Sequence, residues 1–290
     1  MSIQSPRQHA VAGTGFVLVG AASIQWSATL VNPLFQVIGP AAASAWRFLF
    51  GALVLLFFSR PRVRGWSRHQ WRATIVLGVA TALMNLCFYQ AIARIPLGGA
   101  VAIEYLGPFL VAAFGKRSWR HFAFVVLAGL GVLALTRPGG GFTSVGVLFA
   151  AGSGLFWAVY AFASHRVGGL TTGFQGLAVS MSIAALVTLP FSLSSAATLV
   201  ERPGLLVRMI VVATMATVIG FGAELQALRR LRPSIVSVLL ALDPAVAFFF
   251  GWLVLAQSLT GWDLVGLALV LAAGVGVTYD VAVGDLGAAR

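Results

Sequence analysis

Asn85-Leu-Cys-Phe-Tyr-Gln-Ala-Ile-Ala-Arg94-Ile-Pro-Leu-Gly-Gly-Ala-Val-Ala-Ile-Glu104-Tyr-Leu-Gly-Pro108 sets a carboxylate in an apolar run, with no adjacent cation and a proline four residues later. Shifted by 136 residues the stretch has an echo: Gln90, Ala91, Arg94, Leu106 and Pro108 meet Gln226, Ala227, Arg230, Leu242 and Pro244. Both copies read as helix, basic turn and helix, with an acid close to a proline. Such pairing points to a pathway across a membrane.

Composition supports a bilayer setting. The chain of 290 residues is 59% hydrophobic and 9% charged, where soluble domains carry roughly a quarter charged residues. A single cysteine, Cys87, excludes an intrachain disulfide framework and any zinc site built on several cysteines. His9, His69, His121 and His165 are too scattered to suggest a metal cluster. No dinucleotide or phosphate-loop pattern follows Gly152-x-Gly154 or Gly139–Gly141, so neither an enzyme nor a cofactor is expected.

A membrane helix needs about 20 mostly apolar residues. Ten segments qualify, at 13–35, 41–58, 73–92, 98–115, 119–136, 145–164, 173–192, 207–226, 234–254 and 262–280. The first apolar run continues to about Leu30, beyond the roughly 7–15 residues of a signal peptide's core, and reads as a retained helix. With a cytoplasmic N-terminus, 14 lysines and arginines fall inside and 4 outside. That asymmetry puts both termini in the cytoplasm. It also accounts for the net charge of +12, so the partner of the basic residues is the anionic lipid headgroup rather than nucleic acid.

The linker Arg137-Pro138-Gly139-Gly140-Gly141 separates two halves, 1–138 and 139–290, of five helices each. An odd number of crossings makes the second half enter with opposite orientation. The expected fold is therefore an all-α membrane protein of ten helices in two inverted five-helix repeats. Ala268, Ala272 and Gly276 form a small-residue face on the last helix, suited either to packing within the subunit or to a homodimer contact.

The candidate site rests on ionisable residues within these spans: Arg47, Glu104, Glu224 and Asp243. A charge at the bilayer centre costs at least ~2.5–3.5 kcal/mol, so such groups face protein or a wet cavity. A carboxyl group there can exchange a proton in each cycle, which is the chemistry of a proton-coupled exporter. The alternative is a structural ion pair, for example Arg47 with Glu104. Glu224, close to Arg229–Arg232, fits an interfacial salt bridge equally well. Asn85 offers amide donors and acceptors, Trp157 lies mid-helix where it can line a cavity, and Tyr89 is a further candidate for substrate binding. Pro108 and Pro244 each remove a helix hydrogen bond and are the candidate helix breaks or gates.

At these residues the chain resembles the drug/metabolite transporter superfamily in its EamA group, and more narrowly the threonine/homoserine exporter branch. The resemblance is carried by Ala22-Ser23-Ile24-Gln25, Arg47, Met84-Asn85, Phe88-Tyr89, Pro96-Leu97-Gly98, Val101-Ala102-Ile103-Glu104 and Gly107-Pro108. Trp157-Ala158-Val159-Tyr160, Glu224 with Ala227-Leu228, and Asp243-Pro244-Ala245 carry it through the second half. It implies a ten-helix exporter of small metabolites, amino acids first, in a bacterial-type inner membrane and driven by protons. A polyspecific drug or nucleoside exporter is the alternative, and a non-transporting membrane receptor a more distant one. Two departures stand out: Leu255-Ala256-Gln257 where the family commonly has Leu-Gly-Glu, and Asp243 where the branch more often has glutamate.

Overall fold

The structure, a computed structural model, describes residues 6–107, 119–137, 140–228, 230–231 and 233–288. Every regular element among them is helical. A backbone crossing hydrocarbon must satisfy its own hydrogen bonds, and a helix does so within one segment. In chain order the principal helices are α1 (Pro6–Val31), α2 (Pro40–Ser59), α3 (Arg68–Ile92), α4 (Leu97–Glu104), α5 (Trp119–Leu135), α6 (Ser144–Leu170) and α7 (Gln175–Ser192). They continue with α8 (Pro203–Ala213), α9 (Phe221–Leu228), α10 (Pro233–Leu240), α11 (Asp243–Leu255) and α12 (Gly261–Ala288).

Among the described residues 6 stretches are long and apolar enough to span a membrane: Val11–Ile38, Pro40–Ser59, Arg68–Ile92, Ser144–Leu170, Gln175–Glu201 and Pro203–Glu224. Phe122–Leu135, Asp243–Leu255 and Gly261–Val277 are apolar but shorter. The expected segment 98–115 is described only as far as Gly107, and Pro108 lies outside the described residues.

Local chemistry sets the helix starts. Ser67 and Gln70 form a reciprocal capping box at the head of α3, and Thr143 accepts from the Gly146 N–H at the head of α6. Pro40 and Pro203 occupy first-turn positions, where a missing N–H costs nothing.

Two expected helices differ from their simplest form. The span 207–226 is α8 followed by a π-helical stretch, Thr214–Gly220, and then α9. The span 234–254 is not one kinked helix but two, α10 and α11, separated by a turn at Ala241 and Leu242. Pro244 has no N–H to give the Leu240 carbonyl, so the ladder breaks there.

The halves pack in a regular pattern. α2 lies on α7 and α5 on α12, each against its counterpart in the other half, and α4 lies on α11, the helix that follows its own counterpart α10. α3 lies on α6, and the exchanged pair, α1 against the π-helical stretch and α9, completes the set. This is the arrangement a two-fold relation between the halves produces. Small residues permit it: a Cβ on Gly131 of α5 would come 2.9 Å from the Gly266 carbonyl oxygen of α12, and one on Gly266 would come 2.8 Å from that of Gly131. On the small-residue face of α12, Gly276 packs against Phe124 of α5, whereas Ala268 and Ala272 are exposed.

Candidate functional site

A cavity of about 90 Å³ lies where the two halves meet. That is several times the ~10–15 Å³ a single water needs on the same measure. Gln25 of α1, Arg47 of α2, Asn85 of α3, Glu104 of α4, Trp157 of α6, Glu224 of α9 and Asp243 of α11 all line it. Arg47, Glu104, Asp243, Asn85 and Trp157, on five different helices, thus share one chamber.

Glu104 ends α4, against α6. The approach is close because Gly154 has no side chain, and a Cβ there would fall onto the Glu104 carbonyl. The preceding residue, Ser153, is fully buried and its hydroxyl donates to Glu104 Oε1. That hydroxyl also stands 2.9 Å from the Met84 carbonyl oxygen of α3. One proton cannot serve both acceptors. An ionised Glu104 takes it, whereas a protonated Glu104 donates to Ser153 and frees that hydroxyl for Met84. The link between α3, α4 and α6 therefore changes with the carboxyl's protonation.

Asp243 repeats the motif with different parts. Its Oδ2 lies 3.2 Å from the Tyr105 hydroxyl, whose single proton has a nearer acceptor in the Leu240 carbonyl at 2.5 Å. Leu240 is four residues before Pro244, so its carbonyl is the one that the proline leaves without a helical donor. Tyr105 supplies the missing hydrogen bond from the opposite half. The helix break and the buried acid are thus held by the same phenol, whose ring meets Trp157 edge-on at 4.4 Å.

Arg47 is 5% exposed and makes no ion pair among the described residues, with Glu104 or otherwise. Its Nη1 donates weakly to the Tyr89 hydroxyl at 3.4 Å, and its guanidinium lies 5.6 Å and 5.7 Å from the ring centres of Tyr89 and Phe48. Tyr89 itself has no exposed surface and packs on Phe35, so it stands behind Arg47 rather than on the cavity wall. Asn85 accepts from Ser44 at 2.8 Å, tying α3 to α2.

Among the described residues, three buried polar atoms on this wall have no hydrogen-bond partner: Arg47 Nε, Asp243 Oδ1 and Gln25 Oε1. Gln25 is only 2% exposed. It was not among the candidates read from the sequence, although an amide in the middle of an apolar run is a usable signal. Glu224 also lines the chamber, and no ion pair holds it among the described residues; Arg229 and Arg232, the expected salt-bridge partners, lie outside them. With Tyr160 and Phe221, whose ring centres are 6.0 Å apart, it borders a second cavity of about 60 Å³. That cavity extends past Ser164 to the turn at Thr171 and Gly173.

Gln257, where the resemblance implies a glutamate, accepts from the Leu97 N–H at 3.1 Å and so caps α4 from the far half. The amide oxygen keeps that bond, without the charge assistance a carboxylate would add. Among the described residues no three His, Cys, Asp or Glu side chains gather to hold a metal.

The profile of the EamA-like transporter family matches the chain twice, at residues 11–137 and 144–279. The threonine/homoserine exporter RhtA of Escherichia coli (strain K12) is 33% identical over 268 residues, covering 91% of this chain and 90% of that protein. RhtA of Salmonella typhimurium (strain LT2) is 32% identical over the same length. The pseudopaline exporter CntI of Pseudomonas aeruginosa (strain PAO1) is 29% identical over 133 residues, or 43% of this chain and 47% of its own. One solved crystal structure superposes with a TM-score of 0.60 at 19% identity, over 91% of this chain and 96% of that one, which speaks for the fold alone.

Proposed function

Because the chain belongs to the EamA-like transporter family, and is thus a multi-pass membrane exporter of small metabolites, we propose that it exports small zwitterionic amino acids of the threonine and homoserine type, driven by protons. The observation that carries this reading is the set of three unpartnered atoms in the chamber. Arg47 Nε is a cationic donor, while Asp243 Oδ1 and Gln25 Oε1 are acceptors. An unmade buried hydrogen bond costs about 1–3 kcal/mol, so a solute that completes all three gains by entering. An α-amino acid has the matching ends: a carboxylate for Arg47, and an ammonium for Asp243 and Gln25. RhtA, whose name gives threonine and homoserine, covers nearly the whole chain.

Glu104 takes the proton. Ser153 already serves one of its oxygens, so it is not the acid left wanting a cation. Its exchange of partner with Met84 gives protonation a mechanical consequence at the junction of three helices. In an antiport cycle, a proton from outside displaces the substrate, and loss of that proton inside lets the next substrate load. Residues 1–138 and 139–290 act as inverted repeats rocking about the chamber, with breaks at Pro244 and its counterpart Pro108 as gates. Both termini face the cytoplasm of a bacterial-type inner membrane. Substrate enters past Glu224, between Tyr160 and Phe221, from the cavity beside Thr171 and Gly173.

Proteoliposomes test this directly. Purified protein should exchange labelled threonine or homoserine for unlabelled, and an imposed pH gradient should accelerate net flux. Glu104→Gln should keep exchange and lose the acceleration. Normal proton-driven flux in that variant would remove Glu104 from the coupling role.

A further inference from the structure

Away from the chamber, a groove of about 960 Å³ runs along the outer face between α3 and α6. His69, Arg72, Ala73 and Val76 line it from α3, a spacing that places all four on one helical face. His165 and Arg166 line it from α6, followed toward the helix middle by Phe162, Val159 and Ala158. The polar ends coincide because the helices meet there: Gln70 Nε2 of α3 donates to the Leu170 carbonyl of α6 at 2.8 Å. From Arg72 to Val76, and from Arg166 to Phe162, the groove passes within about 6 Å from guanidinium to hydrocarbon-lining positions, at ~1.5 Å rise per residue.

The groove's chemistry is one-sided. Arg72 and Arg166 are exposed, no acid lines the groove, and neither arginine has an ion pair among the described residues. Val76, Val159 and Phe162 are 49%, 41% and 64% exposed, apolar surface that in a bilayer faces acyl chains rather than water. The charge asymmetry of the loops puts this end of α3 and α6 at the cytoplasmic surface, where anionic phospholipid is the available anion with a hydrocarbon tail. We propose that this groove is a binding site for one anionic phospholipid, its phosphate held by Arg72 and Arg166 beside the two histidines, and an acyl chain laid on Val76, Val159 and Phe162. The site lies outside the transport chamber and does not depend on the identity of the transported solute.

Native mass spectrometry of the intact protein in detergent tests the assignment, with phosphatidylglycerol and phosphatidylcholine offered at equal concentration. The wild-type protein should retain one phosphatidylglycerol in preference to phosphatidylcholine, and millimolar inorganic phosphate should not displace it. Removing both groove arginines (Arg72→Gln with Arg166→Gln) should lower the preference about 25-fold, at roughly fivefold for each basic group near the surface. Arg62→Gln with Arg64→Gln removes the same charge from the same side outside the groove and should leave the preference intact. Val159→Trp, which fills the groove on a lipid-facing position and keeps every charge, should also abolish retention. Equal loss in both arginine pairs, retention in Val159→Trp, or displacement by inorganic phosphate would each overturn the groove as a lipid site.

Discussion

Replacing Tyr105 with phenylalanine, alone and together with Pro244→Ala, probes the junction of the two halves. The Tyr105 hydroxyl donates to the Leu240 carbonyl at 2.5 Å and lies 3.2 Å from Asp243 Oδ2. Tyr105→Phe leaves the partly buried Leu240 carbonyl with neither a helical nor a side-chain donor, a cost of at most about 1–3 kcal/mol. Asp243 also loses its hydroxyl neighbour. Alanine at 244 restores an N–H four residues after Leu240 and can close the helical hydrogen bond that proline forbids. The tyrosine should therefore matter less in the Pro244→Ala background, with a coupling energy of roughly 1 kcal/mol, within the range for residues that share a partner. Equilibrium unfolding in mixed detergent micelles, run on the four proteins of the cycle, measures it. Strictly additive effects would refute the idea that Tyr105 replaces the hydrogen bond Pro244 removes. Counterflow on the same proteins separates structure from transport. Pro244→Ala should slow exchange even where it stabilises, because a continuous helix cannot bend at the chamber.

Other outcomes follow from the same geometry. Gln25→Leu should leave stability within about 1 kcal/mol of wild type, because the amide oxygen it removes is already unpaired, yet raise the half-saturating amino-acid concentration roughly tenfold, read by counterflow. Gly154→Val should be destabilising by about 1–3 kcal/mol, since its side chain meets the Glu104 backbone and no flexible neighbour can yield; detergent unfolding checks this. Phe221→Ala should widen the passage beside Glu224 and raise passive leak of substrate from loaded vesicles, while Phe162→Ala on the outer face should not.

Much of this arrangement is visible in the residues themselves, for a physical reason. Water tolerates a polar group anywhere on a soluble surface, but hydrocarbon does not, so Arg47, Glu104 and Asp243 stand out against their apolar spans and meet in one chamber. Pro244 is equally legible as a break. What the residues do not reveal is which polar atom faces which. Tyr89 looks like a substrate contact but packs behind Arg47, because its ring fills a pocket with Phe35 that only the three-dimensional packing of α3 creates. Gln25 carries no charge and sits in an unbroken helix, so its burial without a partner emerges only when α1 is laid against the chamber. The π-helical stretch Thr214–Gly220 is likewise unannounced by the residues. Gly20 of α1 meets the Gly220 carbonyl and Gly51 of α2 meets Thr217, contacts that no local spacing encodes.

Recognition of both ends of a zwitterion is what the chamber's unpartnered atoms demand. Competition in threonine counterflow tests it most directly, using homoserine, an amino alcohol lacking the carboxylate, and a hydroxy acid lacking the ammonium. Homoserine should compete strongly, and each one-ended analogue should compete at least tenfold more weakly. The hydroxy acid should fail through Asp243 and Gln25, and the amino alcohol through Arg47. Equal competition by a one-ended analogue, a hydrophobic cation or a nucleoside would contradict the account.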